Sequence, residues 1–593
     1  MNKLFTVFLL KLSFLLQAQE IKTHLISKKV NNLALNHNHL RISSLPFFDD
    51  FSNQNISSLN WTDKNIFIND EYPINQISKG VATFDGIDSN GYAYDISIST
   101  SWGVADFLTS RNIDLSSSDS LFMLFFYQPQ GIGDNPQEED SLVLEFLDDS
   151  LRWNRVWSVK GSSYYPFKKK VILINQEKYL HSNFKFRFFN YATLSGNFDH
   201  WNLDYVKLDN FNRSSDTVLS DDVAFVGRHL SLLKRYTQMP WKHFQNNQAI
   251  ELKDSIDIPI RNNNASINVD YKYFVFDQNE NLLSNFPISG WRNYSIFNFD
   301  SIGNFSHSPA VFVDNNVFNS IRIDSASFKI RHVIRTGSDD YKFNDTIDFV
   351  QSFSSYFSYD DGTAESAYGI NVSGAMGAMK FKLNRPDTLR AVQIYFPQML
   401  DSVSNLSFYL TVWKDDGGVP GDIIYSKLEN PRHSRKFNFQ TIVIDSLFQL
   451  SGTFYVGWVQ NTDDLLNVGL DLNNVSNEYM FYNYNGVWLN SQYQGAWMIR
   501  PIVSEKKLLL INNTVDPFEI TLWPNPSREY VFINCDKKIK NIKIFDISFK
   551  DVTDHASFDF NSRINISSLS SGVYFFSFYF EEKIISKKII IND

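Results

Sequence analysis

The sequence predicts an all-β protein made of tandem sandwiches and jelly rolls, closed by a small sandwich at the C-terminus. Three observations carry this. Short β-branched and aromatic runs such as SLVLEFL (141–147), FKFRFFN (184–190), SFYLTVW (407–413) and TFYVGWVQ (453–460) recur at roughly 8–12-residue spacing. Within them residues alternate, as Phe184, Phe186 and Phe188 do, which is the period-2 pattern of a sheet with one buried face. Convincing 3.6-residue apolar stripes are absent, and the runs are punctuated by Asn, Asp, Gly, Ser and Pro.

Composition fits this class. Aromatic residues make up 16% of the 593, and Phe and Tyr suit a pleated, half-buried surface. A single cysteine, Cys535, excludes a disulfide framework and any multi-cysteine zinc or iron–sulfur site. A formal charge of −10 argues against a whole-chain nucleic-acid binder.

Residues 1–18 read as a secretory signal peptide: Lys3 gives the positive start, Leu4–Leu16 the apolar stretch, and cleavage is expected after Ala18. That stretch is too short to span a membrane, and no other run approaches 18 apolar residues. Residues 19–45 are polar and Asn-rich, an expected linker. A first unit follows over 46–209, a second over 210–352, and a third over 353–503, opening at YDDGTAE and closing at WMIRPIV. A linker at 504–519 leads to a small unit at 520–593.

The last unit carries the most specific motifs. Pro524-Asn525-Pro526 is a turn that launches a strand, Ser571-Gly572 is a turn before VYFF, and Lys587-Lys588 lie in a final basic strand. With Phe545-Asp546 and Ile566–Phe575 between them, this order resembles the type A sorting domain of the Bacteroidetes type IX secretion system. The motif residues are Pro524, Asn525, Pro526, Gly572, Tyr574, Lys587 and Lys588; the usual Gly near Asp546 is missing. The resemblance implies export through the inner membrane by the leader and through the outer membrane by this tail. The secretion machinery is then a partner, and the destination is the extracellular space or the outer-membrane surface.

The first unit resembles MAM-like and concanavalin-like jelly rolls, on PFFDDF (46–51), ATFDGIDSNGYAY (82–94) and WNLDYVKL (201–208). In many such domains the first and last strands are neighbours, and carboxylates on both share a calcium ion. Asp49, Asp50, Asp85 and Asp204 are the candidate ligands of a structural calcium. The weightier alternative is that they are turn carboxylates facing water. The second unit resembles an immunoglobulin- or fibronectin-like spacer, and the third a further sandwich of surface proteins.

Carbohydrate binding is expected to use exposed aromatic faces beside polar loops, with Trp102, Tyr164, Tyr165, Trp488, Tyr493 and Trp497 as candidates. The bland alternative for each is a core or strand-edge aromatic. No catalytic signature is present. The nearest paired carboxylates, Glu138-Glu139-Asp140 and Glu145, have the wrong spacing, since Asp140 and Glu145 fall on opposite faces of a strand. Gly-x-Ser-x-Gly and His-Glu-x-x-His are missing. The sequence therefore points to a non-catalytic exported protein for adhesion, matrix or glycan binding, with glycans or surface polysaccharide as partners. An extracellular hydrolase with a dispersed site, or an accessory subunit of one, is the alternative.

Overall fold

A computed structural model describes residues 20–28, 45–211, 222–296, 302–307, 325–504 and 521–592, apart from short loop positions inside those ranges. The leader, Cys535, the 505–519 linker and most of the first linker lie outside the described residues. The chain divides into two compact units, residues 1–507 and 508–593. No described helix is long and apolar enough to cross a membrane.

The larger unit begins with β1 (Glu20–Thr23). The first sandwich then contributes β2 (Phe47–Asp49), β3 (Phe67–Asn69), β4 (Val81–Phe84), β5 (Trp102–Thr109), β6 (Leu121–Pro129) and β7 (Ser141–Leu147). It is completed by β8 (Trp153–Lys160), β9 (Lys168–Ile174), β10 (Phe186–Thr193) and β11 (Trp201–Asn210). One sheet has the order β5-β10-β7-β8 and the other β3-β4-β11-β6-β9, with β2 also pairing β11. All these pairs are antiparallel. The predicted alternation holds: Phe184, Phe186 and Phe188 point into one core with Leu108, Leu142, Leu144 and Trp201.

The second sandwich sets a three-stranded sheet (223–225, 256–262, 302–307) beside a six-stranded one built around 267–276, 326–335 and 346–354. The third sets a six-stranded sheet (376–382, 408–416, 419–429, 453–460, 480–483, 489–490) beside shorter strands that include 366–370, 387–394 and 499–503. One continuous hydrophobic core runs from Val223 in the second to Val503 in the third. The expected spacer is thus fused to its neighbour, because Tyr236, Trp241 and Phe357 bury their rings across the joint.

The first linker is also partly structured. Residues of β1 pair with 367–370, from Glu20↔Ile370 to Thr23↔Ala367. Glu20 is buried and accepts hydrogen bonds from the Tyr368 hydroxyl (2.8 Å) and the Gln492 amide (3.2 Å). Leu25 packs with Ala367, Tyr395 and Met498, and Lys28 reaches into the first sandwich to pair with Asp85. A polar composition hid this strand, since its apolar contribution is small and its order comes from pairing.

The C-terminal unit has a four-stranded sheet (521–523, 530–534, 557–559, 563–565) and a three-stranded one (541–546, 572–579, 584–591), around Val531, Ile544, Ile564, Phe576 and Ile589.

Candidate functional site

Of the carboxylates expected to share calcium, Asp49, Asp50 and Asp204 lie near one another, and all four candidates are engaged by protein donors. β2 does pair β11, as the jelly-roll resemblance implied, with Asp49 opposite Val206. But Asp49 accepts hydrogen bonds from the Trp61 indole (2.7 Å), Asn60 and the Phe51 amide. Asp204 accepts from the Ile77 and Ser78 amides (3.0 Å each) and the Ser78 hydroxyl, and burial pushes it up to about 7. Asp50 is held by Ser52 and Asn344 (3.1 Å), and Asp85 by Lys28 and the Ile87 amide. Each carboxylate spends its oxygens on protein donors. Among the described residues no three His, Cys, Asp or Glu side chains are arranged to hold a metal ion.

The aromatic candidates separate by environment. Trp497 is fully buried, edge-on to Trp458 at 5.0 Å, because it faces the core from the short strand 496–497 at the end of its sheet. Tyr493 donates its hydroxyl to the Glu20 carbonyl, and Trp488 lies edge-on against Trp413 (5.6 Å). The ring of Tyr165 carries the Lys168 ammonium 3.7 Å from its centre. Tyr164 stands at the surface on the loop after β8, its amide held by Gln130.

Trp102 is different. It begins β5 on the outer face of the four-stranded sheet, and 48% of its surface is exposed. One face of the indole stacks on Tyr191 (5.3 Å, 18°), and its N–H donates to Asp140 Oδ1 (2.8 Å). The outward face is thereby presented in a fixed orientation. Further along the same sheet face Phe107 and Phe189 stack (5.5 Å), and Arg187 pairs with Glu145 (2.7 Å) while its guanidinium lies 4.2 Å from the Trp153 ring centre. Tyr191 and Arg187 are four residues apart on β10, about 13 Å.

Tyr191, Arg187 and Trp153 were not expected from sequence. The register shift between Phe189 and Tyr191 places its extra residue in β5, so β10 keeps its alternation and carries Arg187, Phe189 and Tyr191 on the face opposite Phe186 and Phe188. Asp140 precedes β7, whereas Glu145 lies on its outward face, so the two do not act as a pair.

The DDGTAE and IRP motifs meet around a cleft of about 460 Å³ between the second and third sandwiches. Arg500 pairs with Asp360, and Arg228 pairs with Asp361 (2.9 Å). Asp471 accepts from the Asp361 amide and from Asn474, and Glu365 accepts from the Leu472 amide. These contacts leave the carboxylates satisfied, so the network ties loops together.

In the C-terminal unit the sorting motif closes on itself. Asn525 donates from its side chain to the Lys588 carbonyl (3.0 Å) and accepts from the Ile590 amide (2.9 Å). Pro524 and Pro526 flank it at the surface. Gly572 pairs with Ile591, Lys587 lies opposite Phe576, and Tyr574 donates its hydroxyl to the Ser570 carbonyl (2.8 Å).

Residues 521–592 match the family described as "Secretion system C-terminal sorting domain". Among curated proteins none matches the chain. Solved structures resemble it only remotely. The tandem CBM22-1–CBM22-2 domain of Paenibacillus barcinonensis Xyn10C is 7% identical over 73% of this chain and 99% of its own, with a TM-score of 0.19. Bacteroides uniformis β-glucuronidase is 10% identical over 47% of this chain and 29% of its own (TM-score 0.19). Parabacteroides merdae β-glucuronidase is 11% identical over 46% and 30% (TM-score 0.20). The chain thus spans less than a third of those enzymes, and scores this low transfer neither fold nor activity. The tail is the decisive match: residues 521–592 are a secretion-system C-terminal sorting domain, and the chain that bears it is a type IX secretion cargo delivered to the cell surface or the extracellular space.

Proposed function

We propose that this exported protein is a non-catalytic carbohydrate-binding protein whose platform is the outer face of the β5-β10-β7-β8 sheet. The observation that carries the reading is Trp102. Its ring is half exposed, and it is braced from behind by Tyr191 and aligned by Asp140, so that one flat face is held toward solvent. A flat aromatic face suits the C–H face of a pyranose, and the Arg187–Glu145 pair further along the sheet supplies planar donors and acceptors for hydroxyls. Preorganisation of this kind reduces the ordering cost of binding.

The hydrolase alternative is less well supported. Asp140 and Asp199 lie within hydrogen-bonding reach of each other, nearer than the roughly 5–5.5 Å that separates carboxyl groups across a glycosidic bond in retaining enzymes.

The test is a glycan array probed with the mature chain and with Trp102→Ala. Binding to a polysaccharide class by the wild type, weakened about tenfold or more in the variant at unchanged melting temperature, is the expected result. An array bound equally by both proteins would move the site elsewhere, and an array bound by neither would overturn the reading.

A further inference from the structure

The carboxylate that aligns Trp102 has a neighbour with an unmet hydrogen bond. Trp102 lies directly opposite Thr193 in the β5·β10 register. The Trp102 indole donates to Asp140 Oδ1, and the Thr193 amide donates to Asp199 Oδ2 (2.6 Å). The two carboxyl groups are neighbours, within hydrogen-bonding reach of each other. Asp140 Oδ2 is occupied by the Gln137 amide (2.6 Å). Asp199 Oδ1 is buried and meets no described donor. Two ionised carboxylates in contact repel, and a buried acceptor without a donor is costly; a single proton on Asp199, donated to Asp140, removes both penalties.

We propose that Asp199 and Asp140 share one proton and act as positioning residues for Trp102, so that protonation of the pair sets the orientation of the carbohydrate platform. This rests on the platform reading above. The surroundings favour the protonated pair. Burial, with Asp140 and Asp134 nearby, pushes Asp199 up to about 7. Glu139 on the same loop adds negative charge at Asp140. The cations that could offset it are weak: His24 sits 3.5 Å from Asp134 but is lowered by burial, and burial holds His200 down to about 3, so it stays neutral.

When the proton leaves, the two partners do not yield equally. Asp199 is fixed by the Thr193 amide and fully buried, at a φ of 58°. Asp140 is also buried, but it ends a loop whose preceding residues, Gln137 to Glu139, are exposed and free to carry it. Asp140 is thus the one that moves, and it takes the indole's anchor with it. The site is ordered at mildly acidic to neutral pH and loosened above.

The experiment follows the Trp102 indole N–H resonance of the mature full chain from pH 5 to 9, assigned by its loss in Trp102→Phe. The expected result is a titration with a midpoint near 7 that disappears in Asp199→Asn, whose amide copies the protonated acid by donating to Asp140 while accepting from Thr193. A flat wild-type profile, or a titration that survives in Asp199→Asn, would sink the proposal. In parallel, array glycans are titrated at pH 6 and 8. A loss of about fivefold in the wild type but not in Asp199→Asn, the scale of one anchoring hydrogen bond, supports gating. A titrating indole with no glycan bound at either pH supports the proton pair and overturns the platform reading. Glycan bound equally at both pH values overturns gating.

Discussion

Asn525 shows how a single side chain explains a motif. The Pro524-Asn525-Pro526 turn is recognisable in sequence, but its purpose is not, because the partner lies more than sixty residues away in the last strand. Its amide closes a two-point contact on the backbone at Lys588 and Ile590. Asn525→Ala removes both bonds at about 1 kcal/mol each. The Ile590 amide should then exchange with solvent about tenfold faster or more, which hydrogen-exchange mass spectrometry of the C-terminal peptide reads directly. Trp102 was legible for the opposite reason: an aromatic beside Ser and Gly at the start of a run stands out locally. Tyr191 and Asp199 were not, since each matters only through a neighbour that the fold brings to it. The hydrogen-bond partners of the calcium candidates were hidden in the same way. Asp is common at strand ends, and whether its oxygens turn to a cation or to amides is decided by contacts such as Ser78 on Asp204 that no local pattern announces.

At the scale of elements, strands and their faces were readable because period-2 alternation is set by the chain itself, whereas pairing partners were not. The four residues of β1 illustrate this: they sit in a polar stretch, yet they form the edge of a sheet whose next strand is 366–370. Leu25, just beyond, is 1% exposed, so Leu25→Ala should cost about 2–4 kcal/mol. Removing residues 20–28 should lower the melting temperature of the mature chain further than Leu25→Ala does, because the Glu20 and Lys28 contacts go too. Differential scanning calorimetry of the three proteins checks the order. The DDGTAE loop, read in sequence as the opening of the third unit, works as a joint: Arg228 from the second sandwich pairs with Asp361 in the third and approaches Asp70 of the first at 4.0 Å.

For the whole molecule, buried carboxyls dominate the pH response. Burial raises Asp199, Asp204 and Asp345 to about 7, and Asp222 and Glu365 to about 8. Each keeps a proton in the folded state that the unfolded chain has released above its ordinary value near 4. The folded state therefore binds more protons between about pH 4 and 8, and stability falls as pH rises through that window. His200 acts in the opposite sense: held neutral when folded, it costs stability only as pH drops below 6.5. The melting temperature should decline from pH 6 to pH 8 in thermal scans, and a rise over that interval would contradict this account. The shared core from Val223 to Val503 further requires the second and third sandwiches to unfold in one transition. The strand β1 has a consequence for the order of events in folding. Its partner is made almost 350 residues later, while the first sandwich between them has a core of its own. That sandwich can therefore form before β1 docks, and the strand acts as a late clasp that ties the start of the described chain to the third sandwich.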